Sequence, residues 1–461
     1  MQYSSELAEK RFGCGLSPML AAADAPEAML AGLAAPDRMA VEFPIEDFET
    51  FRQRMIENAG VRKMMRQTRG TDDFKIHKKR RNKLNYEARR DMAVWYGQTL
   101  ARWTWTDTPF RERLVAFWAD HFTAHGKQGL VRRATSPYVE TALRGRIAGQ
   151  FEDLLIAAVT HPIMLIYFDQ VQAVGPNSTL GLKSKGKRGL NENLAREVLE
   201  LHTLGVDGRY TQDDVLQLAE LFTGLSFSIP KGFVFIPQRA EPGAETVLGQ
   251  EFYDDPATVQ PIHDVLRALA RHPDTARNIT RKLAVHFVSD DPDPDLVAAM
   301  ERAYLRTDGD LTAVYRALME HPAAWEPELR NVKPPFDFIA SACRALGVEA
   351  DVLSEMQEPV TKSVLLGPMK MMGQDWQKPP GPDGWAEEDE AWVTPQGVSA
   401  RLRWAMVVPS RLRRDLPDPR AFVSQALGRD VPEAVQFAAM AAERRTVGIG
   451  LVLASPAFQR R

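Results

Sequence analysis

The sequence predicts a mainly α-helical, multi-helix globular protein with a small β-hairpin inserted near residues 225–250. Three observations support this fold class. Apolar residues recur at helical spacing along most of the 461 residues. Strand patterns are confined to LSFSIPKGFVFIPQ, with ETVLGQEF as a third short strand. No repeat of fixed period is present in the sequence, so a helical solenoid is not indicated.

Composition excludes several classes of protein. With 26% charged residues and a formal net charge of −3, the chain lacks the charge excess of proteins that bind nucleic acid or a membrane surface, and we expect no nucleic-acid partner. No apolar run approaches the about 18 residues of a membrane span. Cys14 and Cys343 are too far apart for a metal or redox motif. The N-terminus lacks the pattern of a secretory signal, so the sequence as written predicts a cytoplasmic protein.

Helical segments are predicted in order along the chain. The aromatic-rich stretches YEARRDMAVWYGQTLARWTW and PFRERLVAFWADHF come first. Further helices are predicted over 140–168, 191–204, 211–222, 257–271, 274–288, 295–304, 310–320, 336–346 and 396–407. The Pro/Gly/Trp-rich stretch 377–392 predicts an ordered loop or lid. We expect a main helical domain over 1–350 and a C-terminal helical region, 351–461, packed on it.

Residues 62–90 form a strongly basic stretch, with twelve lysines and arginines against three acidic residues. Such a charge run is typical of a solvated, mobile connector, which is the interpretation we favour. The alternative is a docking strip for an anionic partner.

The central motif, GLNENLAREVLELHTLGVDGRYTQDDV at 189–215, gathers polar side chains on a predicted helix. At about 100° per residue, Asn193, Arg196, Glu197 and Glu200 share one stripe. An ordinary exposed amphipathic helix explains this pattern. The like charges of Glu197 and Glu200, three residues apart, argue against an ordinary exposed face. If this face is buried, a cation, a shared proton or Arg196 must neutralise the two carboxylates. Paired carboxylates are then candidates for acid–base catalysis or for binding a divalent metal.

Two histidines are further candidates. His202 lies near the end of the central helix, where the helix dipole favours a protonated imidazole. His121 lies four residues before His125, the spacing of a two-histidine metal face, although a buried histidine bonded to a backbone carbonyl is the interpretation we favour.

The loop before the central helix, residues 175–190, is rich in glycine and basic residues that favour an anion at a helix N-terminus. Its basic side chains are Lys183, Lys185, Lys187 and Arg188. We predict catalytic roles for Glu197, Glu200, Arg196, His121 and His202. We predict substrate-binding roles for Asn191, Asn193, Asp169, Lys187 and Arg188. A divalent cation is a candidate cofactor, with Glu197 and Glu200 as its ligands.

Several of these segments resemble a bacterial family catalogued as domain-of-unknown-function family 1800. The resemblance rests on KRFGCG, PFRERLVAFWADHFT, GPNS, the central motif, LARHPDTARNITRKLAVHFVSDDP, KPPFDFIASACRALG and PPGPDGW, and covers nearly the whole chain. It implies a helical protein without an established activity. Many members carry export signals and are encoded beside a second uncharacterised family, whose product is a candidate partner. This chain departs from the family pattern at QRAEPGAETVLG, where Glu241 and Glu245 occupy a region in which a histidine and a lysine are common.

Two functions remain open. The first is a hydrolase- or lyase-like enzyme for an anionic small molecule or polymer, with Glu197 or Glu200 as general acid or base and Arg196 orienting it or binding substrate. The second is a non-catalytic assembly or binding protein, in which the same polar network fixes the register of the helices. We favour the enzyme, because more kinds of polar residue converge than helix register requires.

Overall fold

The computed structural model describes residues 3–184 and 187–461 and confirms a mainly α-helical fold. No helix in these residues is long and apolar enough to cross a membrane. The α-helices in the first half of the chain are Ser5–Arg11, Pro26–Ala34, Arg38–Glu42, Phe48–Gln67, Asp72–Trp105, Pro109–His121, Thr135–Tyr138, Phe151–Val159, Pro162–Tyr167, Thr179–Ser184, Asn193–Glu197 and Gln212–Leu221. Those in the second half are Gln260–Ala270, Pro273–Phe287, Pro294–Arg306, Leu311–Glu320, Pro335–Leu346, Ala350–Ser354, Glu358–Thr361, Gly367–Met371, Pro395–Val407, Pro409–Leu412, Pro419–Leu427, Glu433–Ala441, Arg445–Ala454 and Pro456–Gln459.

Shorter helical turns connect these elements. The wide π form occurs at Val139–Leu143, Val198–His202 and Lys362–Leu366. The tight 3₁₀ form occurs at Gly129–Arg133, Arg144–Arg146, Gln170–Gln172, Pro237–Arg239, Pro322–Trp325 and Asp389–Trp392. The single helix predicted over 140–168 is therefore wrong: glycines at 145 and 149 and a proline at 162 divide it into short pieces.

Strands form two antiparallel hairpins, which confirms the predicted β insertion. Leu225–Ser228 pairs with Gly232–Phe235, and Glu245–Val247 pairs with Gln250–Phe252. ETVLGQEF is thus a second hairpin and not a third strand of the first. Leu248 and Gly249, both with positive φ, form its tight turn.

The basic stretch 62–90 is mostly helical, and its role as a connector or as a docking strip stays a prediction. It covers the end of Phe48–Gln67 and the first half of Asp72–Trp105, which pack against each other. The predicted exposure of this stretch to solvent is confirmed for most of its length, because no residue from 56 to 83 is buried. We call residues 56–83 the basic arm.

Two hydrophobic cores make up the body of the protein, and the helix Asp72–Trp105 contributes to both. The first core draws on residues between Leu7 and Trp325. The second draws mainly on residues 336–458. Along the shared helix, Trp95 lies in the first core and its neighbour Tyr96 in the second. The helix Pro335–Leu346 lies in the second core, while the domain boundary near residue 350 stays a prediction.

Close packing of the shared helix depends on Gly97. A Cβ atom at this position would overlap the carbonyl oxygen of Leu353, in the helix Ala350–Ser354. The absence of a side chain therefore lets the two helices approach within backbone contact.

Gly97→Ala is expected to lower the free energy of unfolding by about 1–3 kcal/mol, because the added methyl group forces the two helices apart. The matched control is Gly60→Ala, since Gly60 lies inside the helix Phe48–Gln67 with open space where its Cβ would be. That change is expected to add about 0.5–1 kcal/mol of stability, because alanine is the better helix former. Denaturant unfolding measures both, and equal effects from the two changes would contradict the packing argument.

Candidate functional site

The central helix is shorter than predicted and changes form within the motif. An α-helix covers Asn193–Glu197, and Val198–His202 continues it as a π-helix. Asn191 fixes its start: its side-chain oxygen accepts from the backbone N–H of Asn193 at 3.0 Å, and its amide donates to the carbonyl of Phe168 at 2.7 Å. π-Helical turns are frequent at functional sites because they alter which side chains share a face.

Arg196 joins two of the predicted acidic residues. Its guanidinium lies 3.1 Å from the Glu192 carboxylate and 3.2 Å from that of Glu200, and it donates to the Gln212 side chain at 2.9 Å. These charged groups are between a quarter and two-fifths exposed. Ion pairs with this access to water contribute at most about 1 kcal/mol each. The guanidinium of Arg196 is thus ion-paired with Glu192 and Glu200 and not with Glu197.

Glu197 differs from its neighbours because its carboxylate has no ion pair or side-chain hydrogen bond within the described residues. It is half-buried, and burial raises its pKa to about 7. The charges of Glu200 and Asp383 add to this rise, and Arg196 opposes it. Tyr167 lies in the field of the same two carboxylates, Glu197 and Asp383. Glu197 is therefore a carboxyl group able to exchange a proton near neutral pH.

His121 and His202 lie together in the interior. His121 places Nε2 at 3.3 Å from the carbonyl oxygen of His202, and the ring centroids are 6.0 Å apart. Both ring nitrogens of His202 and Nδ1 of His121 have no partner within the described part of the chain. Burial, with a contribution from Lys282, lowers the pKa of His202 to about 3 and that of His121 well below its usual value.

Both histidines are consequently neutral at pH 7, so the expectation that His202 is a helix-end cation is wrong. Its ring is fully buried, and desolvation outweighs the helix dipole. His125 does not face a metal with His121: it packs on Tyr167, with ring centroids 4.6 Å apart. Across residues 3–184 and 187–461, no three or more His, Cys, Asp or Glu side chains are grouped to hold a metal ion. The pair Glu197 and Glu200 would need further ligands.

The predicted anion loop is exposed. Lys187 and Arg188 are open to solvent, and Lys185 lies outside the described residues. Asp169 is in the left-handed region, at φ 58°, and pairs with Lys127 at 2.5 Å. Asp169 is therefore ion-paired with a lysine from the connection that follows the helix Pro109–His121.

The Pro/Gly/Trp-rich segment 377–392 is ordered against the first core and supplies residues that the sequence prediction missed. The backbone N–H of Trp385 donates to both oxygens of Asp120, at 3.0 and 3.1 Å. Gly384 has φ +86°, and a Cβ there would overlap the Asp120 carboxylate. Asp383, one residue earlier, contributes to the raised pKa of Glu197. The PPGPDGW motif is the sequence signal that pointed to this segment.

A partly buried lysine, Lys282, lies in the field of these groups. Burial lowers the pKa of Lys282, while Asp120, Glu387 and Asp383 act in the opposite direction. Burial also raises the pKa of Asp120 well above its usual range. Lys282 lies in RKLAVHF, a stretch used for the family resemblance but not for the predicted site. The candidate site thus extends from Glu197 through Asp383 to Lys282 and Asp120.

A cavity of about 170 Å³ is lined by segment 377–392, by Asp120 and by residues of both cores. Its lining is mainly apolar and includes five aromatic side chains, those of Trp103, Phe336, Trp376, Trp385 and Trp392. Three ion pairs line it, Arg102–Glu140, Arg144–Glu112 and Arg461–Asp337, and His286 is hydrogen-bonded to Glu387. The Nε1 atom of Trp376 is buried without a partner in the described residues. Such a cavity suits an uncharged ligand portion with an acceptor atom.

The His286–Glu387 pair is held in one protonation state. Arg113 has only donors, so its guanidinium, 3.2 Å away, donates to Nε2 of His286. Nδ1 then carries the proton and donates to Glu387 at 2.8 Å. Burial lowers the pKa of His286 to about 4 despite the nearby carboxylate. With both ring nitrogens engaged, this histidine is a structural part of the cavity wall.

The two glutamates that depart from the family pattern lie at the β insertion. Glu241 accepts from the backbone N–H of Asn177 at 3.0 Å and from its side-chain amide at 2.5 Å. Glu245 is buried, and burial followed by the charges of Glu220 and Glu241 raises its pKa to about 7. Glu241 therefore anchors the GPNS loop.

Gly384→Ala is expected to release segment 377–392, because alanine at this φ is strained and its methyl group meets Asp120. Limited proteolysis should show faster cleavage within 377–392 than in the unmodified chain. The matched control is Gly373→Ala, which has φ +111° but open space at Cβ. Equal sensitivity of the two variants would show that backbone strain alone, and not the Asp120 contact, controls the segment.

Comparison with known proteins identifies the family to which the chain belongs. A search of curated proteins and a search of solved structures find no match. The model of the family described as "Protein of unknown function (DUF1800)" matches residues 8–460. Because this match covers nearly the whole chain, the protein belongs to the DUF1800 family.

Proposed function

We propose that this protein is a hydrolase- or lyase-like enzyme in which Glu197 is the general acid–base group, beneath the segment 377–392. The single observation that carries the proposal is the state of this carboxylate. Glu197 is half-buried and unpaired within the described residues, and its pKa is raised to about 7. A surface helix gains no stability from such a group, because desolvation and nearby carboxylates both penalise its charged form. Raised carboxyl pKa values are typical of active sites.

The neighbouring residues have distinct proposed roles. Arg196 holds Glu200 and Glu192, so that Glu200 shapes the field at Glu197 while remaining paired. Asn191 positions the start of the helix through its bonds to Phe168 and Asn193. His121 and His202 are uncharged donors or acceptors behind the site. Asp383 supplies a second carboxyl group from the segment that covers the site, and the two carboxyl groups allow one to donate a proton while the other accepts one.

An anionic substrate is the class that these surroundings favour. Cationic side chains occur around the site: Lys282 lies in the field of Asp383, which also acts on Glu197. Lys127 and Lys378 act on His125 and are ion-paired with Asp169 and Asp375, while Lys187 and Arg188 are exposed. Lysine and arginine side chains bind phosphate, sulfate and carboxylate groups through charge-assisted hydrogen bonds. A substrate of this kind would also favour the protonated form of Glu197, the form that acts as an acid.

A binding protein without catalysis is the second candidate, and the cavity favours it. The ion pairs around the cavity are closed on themselves, and His286 has both nitrogens engaged. A network of this kind stabilises the packing of the two cores against each other, and this structural role requires no substrate. Under this alternative, the cavity holds a ligand and Glu197 is incidental.

Glu197→Gln is expected to raise the melting temperature above pH 7 and to leave it unchanged below pH 4.5. An ordinary glutamate has a pKa of 4.5, and that of folded Glu197 is about 7. The cost of ionising Glu197 in the folded state is thus absent below pH 4.5, grows between pH 4.5 and 7, and is complete above pH 7. Thermal melts across this range measure the difference. Glu192→Gln is the control, since it removes an acid of the same helix that Arg196 pairs with.

The catalytic role is tested by turnover of chromogenic phosphate, sulfate and carboxylate esters and of anionic oligosaccharides. The Glu197→Gln variant should hydrolyse the active ester about 100-fold or more slowly than the unmodified chain, because general acid–base groups contribute about 10²–10⁴-fold to the rate. Glu192→Gln should keep most of the rate. Equal turnover by the Glu197→Gln variant and the unmodified chain would refute the assignment and leave the binding role.

A further inference from the structure

Four arginines surround a hollow near the tip of the basic arm. Arg62, Arg66 and Arg69 come from the end of the helix Phe48–Gln67 and the turn after it, and Arg81 comes from the facing helix. The hollow has a volume of about 300 Å³, and Met65 and Phe74 supply the remainder of its lining. All four arginines are exposed, whereas Met65 and Phe74 are partly buried.

None of the four guanidinium groups lies within 4.0 Å of a carboxylate in residues 3–184 and 187–461. Elsewhere on the arm, basic residues do find acidic partners: Arg80 pairs with Glu57 and Lys75 with Asp72. The dipole of the helix Phe48–Gln67 favours cations in its last turn and so accounts for Arg66, and in part for Arg69. It does not account for Arg81, which belongs to the other helix. Converging like charges destabilise a free protein, so this arrangement favours a bound anion.

The choice of basic residue is also informative. The arm carries lysines at 63, 75, 78, 79 and 83, yet the basic residues that line the hollow are all arginines. The guanidinium group is planar and makes paired hydrogen bonds to phosphate oxygens, whereas a lysine ammonium acts as a point charge. Four arginines around one hollow match a group with several phosphate oxygens. Phe74 and Met65 provide an apolar surface beneath it.

We propose that Arg62, Arg66, Arg69 and Arg81 form a binding site for a ligand that carries two or more phosphate groups. This site is separate from the Glu197 site and does not depend on the proposed enzymatic function. Two sources share this chemistry: a soluble polyphosphate compound and the phosphorylated headgroup of a lipid. The experiment distinguishes them.

Binding of inorganic tripolyphosphate to the full chain, measured by calorimetry at fixed ionic strength, tests the site. The double variant Arg66→Gln/Arg69→Gln is expected to weaken binding about tenfold or more, equivalent to about 1.4 kcal/mol. The matched control, Lys78→Gln/Lys79→Gln, removes the same charge from exposed residues of the same arm and should weaken it less than about threefold. Circular dichroism establishes that both variants keep their helices.

Co-sedimentation with vesicles of phosphatidylcholine, with and without phosphatidylinositol bisphosphate, identifies the source of the phosphate. Vesicle binding that tripolyphosphate displaces supports a lipid headgroup, and binding of tripolyphosphate alone supports a soluble ligand. The proposal is overturned if the unmodified chain binds neither probe. Equal weakening by the two double variants would also overturn it, since the arm would then act only through its net charge.

Discussion

The packing of one long helix against both hydrophobic cores is the constraint on which the rest of the structure depends. Asp72–Trp105 is 34 residues long, and the change from first to second core occurs between the adjacent residues Trp95 and Tyr96. The aromatic-lined cavity lies where these cores meet, and Trp103 of the same helix forms part of its wall. The other end of the helix leaves the body as half of the basic arm. One element thus contributes to the cavity wall and supplies Phe74 and Arg81 to the arginine hollow.

The contrast between Glu197 and its neighbours shows how the motif distributes its charges. Arg196 has enough donors for two carboxylates and uses them on Glu192 and Glu200. Glu197 is left next to Asp383 and half-covered, so its proton is held near neutral pH. Three acids and one arginine leave one carboxylate of this motif unpaired within the described residues, and Asp383 of segment 377–392 adds to the rise in its pKa.

Local patterns made the helices predictable, whereas long-range contacts determined most of the site. The amphipathic periods at 260–270, 273–287 and 311–320 were strong enough to place those helices within a few residues of their ends. The capping box of Thr211 and Asp214, at the start of the helix Gln212–Leu221, is equally local, because all of its atoms come from four consecutive residues. The charge of the basic stretch indicated its exposure to solvent, but charge says little about whether an exposed segment is helical. Lys282, Asp120 and Asp383 were missed because each is unremarkable in its own stretch of sequence and gains meaning only from residues more than a hundred positions away.

The hydrogen bonds from Trp385 to Asp120 have a mechanical consequence. Segment 377–392 is covalently part of the chain that builds the second core, yet its anchor is a carboxylate on a first-core helix. The same few contacts therefore cover the cavity and fasten the two halves of the body. Opening the cavity widely would therefore also break contacts between the two halves. A molecule bound in the cavity would contact both halves and stabilise their association.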